Sequence, residues 1–257
     1  MSATLAGRAA LVTGAGSGLG RAISIALARD GATVALLGRD QHRLAAVSET
    51  IATSGGGSTV VECDTSNPES VARAADRLSG QAISIVVNNA GVAGPVAPLV
   101  AIAPQDWDEV FAVNVRGVYL ICRAFLPPMI ERRSGDIINI ASVTGKRPLA
   151  GRTPYAASKM ALIGLTATLA HEVGPFGLHV NSLSPGPVSG ARMRRNFELE
   201  ARRTGAPASA AESEFVSRSA LKRMVEEDEV AAAVLAMLRM PGLTAADIDL
   251  SAGMVAR

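Results

Sequence analysis

Apolar residues follow two rhythms along this chain. Short, almost uninterrupted apolar runs stand at residues 9–13, 34–37, 59–62, 83–87, 136–141, 178–184 and 247–250. Runs of this length read as strands, and their lack of alternation predicts a sheet covered on both faces. Between them lie longer stretches with helical spacing. Those after the glycine turn at 14–20 (Ile23, Ala26 and Leu27 inward), at 41–53, from Pro68, at 104–132, at 153–173 and at 226–240 predict helices. Thr153 suits an N-cap and Pro154 the first helical position, while Gly174-Pro175 stops that helix. From Pro185 to Met224 the pattern breaks into polar, Arg- and Glu-rich sequence. Strands and helices alternating at this spacing predict βαβ units, hence an α/β fold on a parallel sheet.

Composition narrows the class. A chain of 257 residues fits one α/β domain, and 48% hydrophobic residues supply a sizeable core. Aromatics are only 3%, so that core is built from Ala, Val, Leu and Ile. A net charge of +2, with no aromatic-interleaved basic patch, argues against nucleic acid and anionic membranes as partners. Cys63 and Cys122 have neither metal-ligand spacing nor the density of a disulfide framework, and read as buried thiols in a reducing compartment. His42, His171 and His179 are too scattered for a metal site. No basic-then-apolar leader precedes the first strand, and no uninterrupted apolar run approaches the roughly 20 residues that span a bilayer. A soluble, cytoplasmic protein is expected.

Chemistry-bearing residues gather where strands end. Thr13-Gly14-x-x-x-Gly18-x-Gly20, with Ser17 and Leu19 inside it, forms a glycine turn between the first strand and a helix. Such a turn lets backbone N–H groups approach a pyrophosphate, with the helix N-terminus adding favourable charge. Its spacing is not G-x-G-x-x-G, because position 19 is Leu. After the second strand, Gly38 stands where NAD-binding folds place a carboxylate, and Arg39 follows it. A guanidinium there suits the 2′-phosphate of NADP, with NAD as the other choice; the plainer role is a loop Arg paired with Asp40. Asp64-Thr65 closes the third strand, where Asp64 either accepts from an adenine amino group or caps the helix near Pro68. Asn88-Asn89-Ala90-Gly91 closes the fourth, either passing close to a ligand or simply turning. Finally, Tyr155 and Lys159 are four apart on one helix face, either as plain neighbours on a wet surface or as a pair that moves a proton. A phenol titrates near ~10, and an adjacent ammonium favours its ionised form; lowering that value by roughly 3 units needs about 4 kcal/mol, available only in a sheltered site.

With Asn114 in Val113-Asn114-Val115, Ser142 thirteen residues before Tyr155, and Pro185-Gly186-x-Val188, these motifs stand in one register. In that order and spacing the chain resembles the short-chain dehydrogenase/reductase family over nearly its whole length. The resemblance implies a Rossmann-type doubly wound sheet of about seven parallel strands, a nicotinamide cofactor, and a homotetramer or homodimer. It makes Tyr155 the general acid in carbonyl reduction and the base in alcohol oxidation. Lys159 would lower the Tyr155 pKa and hold the nicotinamide ribose, Ser142 would hydrogen-bond the substrate oxygen, and Asn114 would hold a relay water behind Lys159. Gly14, Ser17, Gly18, Leu19, Gly20, Arg39, Asp64, Thr65, Asn89, Ala90, Gly91, Pro185, Gly186 and Val188 would line the cofactor. Two positions depart from the family. Gly190 replaces a Thr that contacts the carboxamide, leaving Ser189 as a substitute, and Ser17 stands where NADP-using members often have a basic residue. Residues 190–224 would form a substrate lid on the single domain. Its Arg192, Arg194, Arg195, Arg202 and Arg203, with Lys146, Arg147 and Arg152 nearby, suit either an anionic substrate or a solvated lid helix laced with i,i+4 ion pairs to Glu198, Glu200, Glu212 and Glu214. The expected activity interconverts a secondary alcohol and a ketone; the alternatives are a non-catalytic nucleotide sensor and a scaffold subunit.

Overall fold

A computed structural model describes residues 5–147, 149–205 and 207–255, without the side chains of residues 192, 196, 199, 200 and 202–204. The first half alternates as the sequence predicts: β1 (Ala9–Thr13), α1 (Gly18–Arg29), β2 (Thr33–Gly38), α2 (Gln41–Thr53), β3 (Ser58–Glu62), α3 (Pro68–Arg77) and β4 (Ile83–Asn88). Then come α4 (Pro104–Phe111), a π-helical turn (Ala112–Arg116), α5 (Gly117–Arg132), β5 (Gly135–Ile140), the short α6 (Val143–Lys146), α7 (Thr153–Val173) and β6 (Leu178–Pro185). The chain closes with α8 (Ala191–Thr204), α9 (Ala208–Ser217), α10 (Glu227–Leu238) and β7 (Asp247–Leu250).

Every strand pairing is parallel, in the order β3-β2-β1-β4-β5-β6-β7. Successive strand side chains point to opposite faces, so both faces need cover. Ala10, Val12, Val34 and Leu36 pack with Ile23 and Leu27 of α1, Leu44 and Ile51 of α2, and Val230 and Val234 of α10. Leu11, Ala35, Leu37 and Val86 pack on the other face with Val71 of α3, Ile121 and Met129 of α5, and Leu162 and Val173 of α7. Each fully buried Leu or Ile in these layers is worth about 1.5–3 kcal/mol. The strand order reverses between β1 and β4, which opens a crevice at the carboxyl ends of the strands, where ligands of such sheets bind.

Several expectations change. Where the sequence reads as broken polar pattern, α8 and α9 form and face each other through Phe197 and Phe215, with ring centroids 5.9 Å apart. The side chains of Arg192, Glu200, Arg202 and Arg203, assigned above to that segment, lie outside the described residues. The predicted helix at 104–132 is interrupted by the π turn. Taken whole, Pro104–Arg132 has the length and mean hydropathy of a membrane-crossing helix, although charged residues interrupt its apolar run. Its Ile121, Phe125 and Met129 are nonetheless buried against the sheet. Thr153 is the first residue of α7 rather than its cap; Arg152 holds the cap position, with no side-chain capping bond. Asn67, not Asp64, caps α3 by accepting from the Ser70 amide at 3.0 Å.

Candidate active site

The glycine turn is built for close backbone approach. Gly14 has φ 66°, a left-handed conformation that side chains disfavour, and a Cβ on Gly20 would stand 2.1 Å from the Gly14 carbonyl oxygen. Ser17 occupies the N-cap of α1, but its side chain makes no capping bond. The first N–H groups of a helix have no partner inside it, so they are left for an anion in the crevice. Asn89 braces the turn, its amide donating to the carbonyls of Thr13 at 2.9 Å and Gly14 at 3.3 Å. Thr13 Oγ1 in turn accepts from the backbone N–H of Asn89 and Ala90, both at 3.0 Å. These ties hold the ends of β1 and β4 together at the reversal point.

At the ends of β2 and β3, Asp40 pairs with Arg43 at 3.1 Å, rather than with Arg39. Arg39 is exposed and faces Asp64. Burial opposes ionisation of Asp64, but two hydrogen bonds from Ser66 and the Arg39 charge outweigh it and hold the carboxyl below its ordinary value. Thr65 is buried, its Oγ1 3.1 Å from where a Cβ on Gly117 would stand. Further along the crevice, Gly186 donates to the Leu250 carbonyl at 2.8 Å, and Val188 pairs with Val225 in an isolated parallel bridge. Together these residues fit a dinucleotide: a close-approach turn, an uncapped helix start and a cation at its rim.

Beside this cradle stand the four residues expected to carry the chemistry. Ser142 ends the β5 segment as the N-cap of α6, where its Oγ accepts from the Thr144 amide at 3.2 Å and keeps its own proton to donate. Tyr155 lies half-buried in the first turn of α7. Lys159, one turn on, is 4% exposed; its Nζ donates to the Ile140 carbonyl at 2.7 Å and lies 5.8 Å from the centre of the Tyr155 ring. The lysine is thereby tied to the strand end that carries Ser142. A Cβ on Gly145 would meet the Met160 amide at 3.0 Å and the Lys159 carbonyl carbon at 3.1 Å, so this glycine lets α6 lie against α7.

Asn114 sits on the π turn and is fully buried. Its Oδ1 accepts from the Val92 amide at 2.8 Å, and its Nδ2 donates to the Val92 carbonyl and to Ser158 Oγ, both at 3.0 Å. A Cβ on Gly91 would lie 3.1 Å from Asn114 Oδ1 and 3.6 Å from Lys159 Nζ, so both side chains come close to that glycine. Both amide hydrogens of Asn114 are therefore committed. Ser158, which the motif reading passed over, links Asn114 to α7 by donating to the Tyr155 carbonyl at 2.8 Å. Its place inside Tyr155-x-x-Ser158-Lys159 was the only signal for it.

Charge around the site differs from the sequence picture. Lys146 is taken up by an ion pair with Asp247 and another with Asp249, both on β7. Arg152 reaches the Ala93 carbonyl at 3.5 Å. After α8, Arg218 pairs with Glu214, and Arg223 pairs with Glu229 at 2.6 Å. Burial pushes the Cys122 thiol up to about 12, against a weak contact from Asn88, so it stays protonated.

Residues 8–201 match the family model of the short chain dehydrogenases. Human (3R)-3-hydroxyacyl-CoA dehydrogenase is 41% identical over 194 residues, covering 70% of this chain and 73% of that protein. Levodione reductase of Leifsonia aquatica is 35% identical over 237 residues, covering 90% and 87%. Among solved structures, an NAD+-bound xylitol dehydrogenase superposes with a TM-score of 0.91 at 28% identity, covering 96% of this chain and 98% of that one. An actinorhodin polyketide ketoreductase with NADPH gives 0.92 at 28% identity, covering 96% and 97%. Sheet order, motif register and relatives agree: this chain belongs to the short-chain dehydrogenase/reductase family and is an NAD(P)-dependent oxidoreductase working between alcohol and ketone.

Proposed function

We propose that the enzyme interconverts a secondary alcohol and a ketone flanked by apolar groups, with Tyr155 as general acid and base and NADP as its preferred cofactor. The observation that carries the catalytic part is the tie from Lys159 on α7 to the Ile140 carbonyl, at the strand end that leads into Ser142. Ser142 donates its free O–H to the substrate oxygen, where negative charge grows during reduction. Tyr155 gives that oxygen its proton in reduction and takes it back in oxidation. Lys159, sheltered and tied to the Ile140 carbonyl, would steady charge on the reacting oxygens and hold the ribose hydroxyls of a bound cofactor. The nicotinamide supplies the hydride exchange, and the protein supplies position and electrostatics. With its amide committed, Asn114 serves the relay through its backbone on the widened π turn rather than through its side chain.

Gly14, Ser17, Gly18, Leu19 and Gly20 would hold the pyrophosphate, Asp64 and Thr65 the adenine end, and Ala90, Gly91, Pro185, Gly186 and Val188 the nicotinamide end. Exposed Arg39 beside Gly38 supports the NADP preference, since no carboxylate stands there to meet a ribose 2′-OH. The substrate reading rests on the loops before Tyr155. Ala97 donates to the Gly151 carbonyl at 3.1 Å, which joins two loops carrying exposed Val96, Leu99, Val100 and Leu149. With Lys146 neutralised by β7, this rim favours apolar flanks over an anion. Residues 190–224 would close over it as a lid of a single 1–257 domain. Exposed Tyr119 on α5 and Met160 on α7 suit a subunit contact in a homotetramer or homodimer, and the buried free thiols suit the cytoplasm.

A panel of ketones and alcohols, in charged and neutral versions, assayed with both cofactors tests this reading. The expected result is a higher kcat/KM with NADPH than with NADH, abolished by Arg39→Ala, and a preference for neutral apolar ketones. Equal use of the two cofactors would remove the role given to Arg39, and a preference for anionic substrates would overturn the apolar rim. Cofactor binding without turnover across the panel would favour a sensor.

A further inference from the structure

Glu227 is a carboxyl group that the alcohol–ketone chemistry does not use, yet it borders the cofactor cradle. The chain leaving β6 is stitched to the residues before α10, because Ser189 donates to the Val225 carbonyl at 2.8 Å and Val225 donates to the Pro187 carbonyl at 2.9 Å. Glu227, in the first turn of α10, then points back across this seam. Its Oε1 lies 3.6 Å from where a Cβ on Gly18 would stand and 3.0 Å from where one on Gly190 would stand. Gly18 opens α1, whose free N–H groups face the pyrophosphate position. Gly190 precedes α8 with φ 154°, which a side chain would rarely adopt. One carboxyl oxygen therefore stands between the phosphate-binding turn and the start of the segment over the site.

We propose that Glu227 is an affinity-determining residue of the cofactor site, whose negative charge opposes the pyrophosphate, so that cofactor binding takes up a proton at this carboxyl. The proposal rests on the dinucleotide reading of the glycine turn. An ionised Glu227 and a pyrophosphate beside Gly18 are like charges drawing on the same positive surroundings. These are the N-terminus of α1, Arg21 on α1 and Arg194 on α8. Glu226 and Asp228 on its own helix add further negative charge, and the segment from Gly186 to Gly190 carries none. Half-burial of Glu227 already raises its pKa above the ordinary carboxylate value, with Asp228 and Glu226 pushing the same way against Arg21 and Arg194. A bound pyrophosphate raises it further. By linkage, the cofactor binds the protonated form more tightly, so affinity falls as pH rises between the free and bound values.

The test is calorimetric titration with NAD+, whose pyrophosphate does not titrate in the range used, from about pH 5 to about pH 8 in buffers of different ionisation enthalpy. The wild type should take up a fraction of a proton, and its Kd should weaken roughly tenfold across the range. Glu227→Gln keeps the side-chain length in the first turn of α10, and should bind more tightly at pH 8 with the proton uptake and the pH slope both lost. Proton uptake or a pH slope unchanged in Glu227→Gln would overturn the proposal, as would a wild type that binds NAD+ without uptake. Failure of both proteins to bind NAD+ or NADP+ at any pH would instead remove the dinucleotide reading beneath it.

Discussion

At the scale of single residues, the site is a set of buried polar groups that hold one another in place. Asn114 and Ser158 are both fully buried, and Ser158 is the acceptor for one Asn114 amide hydrogen. Ser158→Ala leaves that hydrogen unpaired in the interior, at a cost of about 1–3 kcal/mol. The expected outcome is a lower urea midpoint together with a reduced kcat, since the same serine ties the π turn to α7 at Tyr155. Unchanged stability and unchanged kcat would mean that Ser158 positions nothing. Tyr155, Lys159 and Asn114 were legible in the sequence because a motif in register marks them. The links of Ser158 and the position of Glu227 were not, because both depend on what these side chains lie against across the fold. Lys146 shows the converse: in sequence it was one candidate contact for an anionic substrate, whereas in the fold it is held by two aspartates a hundred residues away.

At the scale of elements, strands were legible because a sheet buried on both faces writes itself as unbroken apolar runs. Even so, β6 runs on to Pro185, just past the end of its run. The lid segment was legible as a solvated helix, but not as the two helices α8 and α9, because exposed Arg194, Arg195, Glu198, Glu212 and Glu214 masked an apolar seam as slight as Phe197 against Phe215. The π turn was hidden for another reason. It is set by the fit of Asn114 against Val92 and Ser158, and no local pattern encodes it. The packing of α6 on α7 depends on Gly145 in the same non-local way. Gly145→Ala would put a methyl group 3.0 Å from the Met160 amide, so α6 must shift by a few tenths of an ångström and carry Ser142 with it. Reacting groups tolerate such displacement poorly. We expect kcat to fall roughly tenfold with Kd for the cofactor unchanged, measured by steady-state kinetics beside fluorescence titration; a change in Kd alone would place the strain in the cradle instead.

At the scale of the whole molecule, the last strand is bound to the catalytic region by charge. Lys146, on α6, meets Asp247 and Asp249, and Asp247 also accepts from Ser182 and Ser184 on β6 at 2.7 and 2.8 Å. The Lys146 and Asp247 side chains are about nine-tenths buried, at 9% and 10% exposed. Lys146→Met removes the cation that Asp247 and Asp249 share and takes from the buried Asp247 carboxylate its ion-pair partner, a change that costs about 3–5 kcal/mol in such settings. Equilibrium unfolding should show a lowered midpoint that recovers partly when Asp247→Asn is added, because the stranded charge is then gone. No recovery would mean that the pair is not what joins β7 to α6.

The central claim is that Tyr155 moves the proton on a scaffold that binds the cofactor without it. The direct measurement is Tyr155→Phe, assayed for turnover with the best ketone of the panel and for NADPH binding by fluorescence titration. The account predicts an unchanged Kd and a kcat lower by roughly 10²–10⁴. Turnover within about tenfold of the wild type would contradict it.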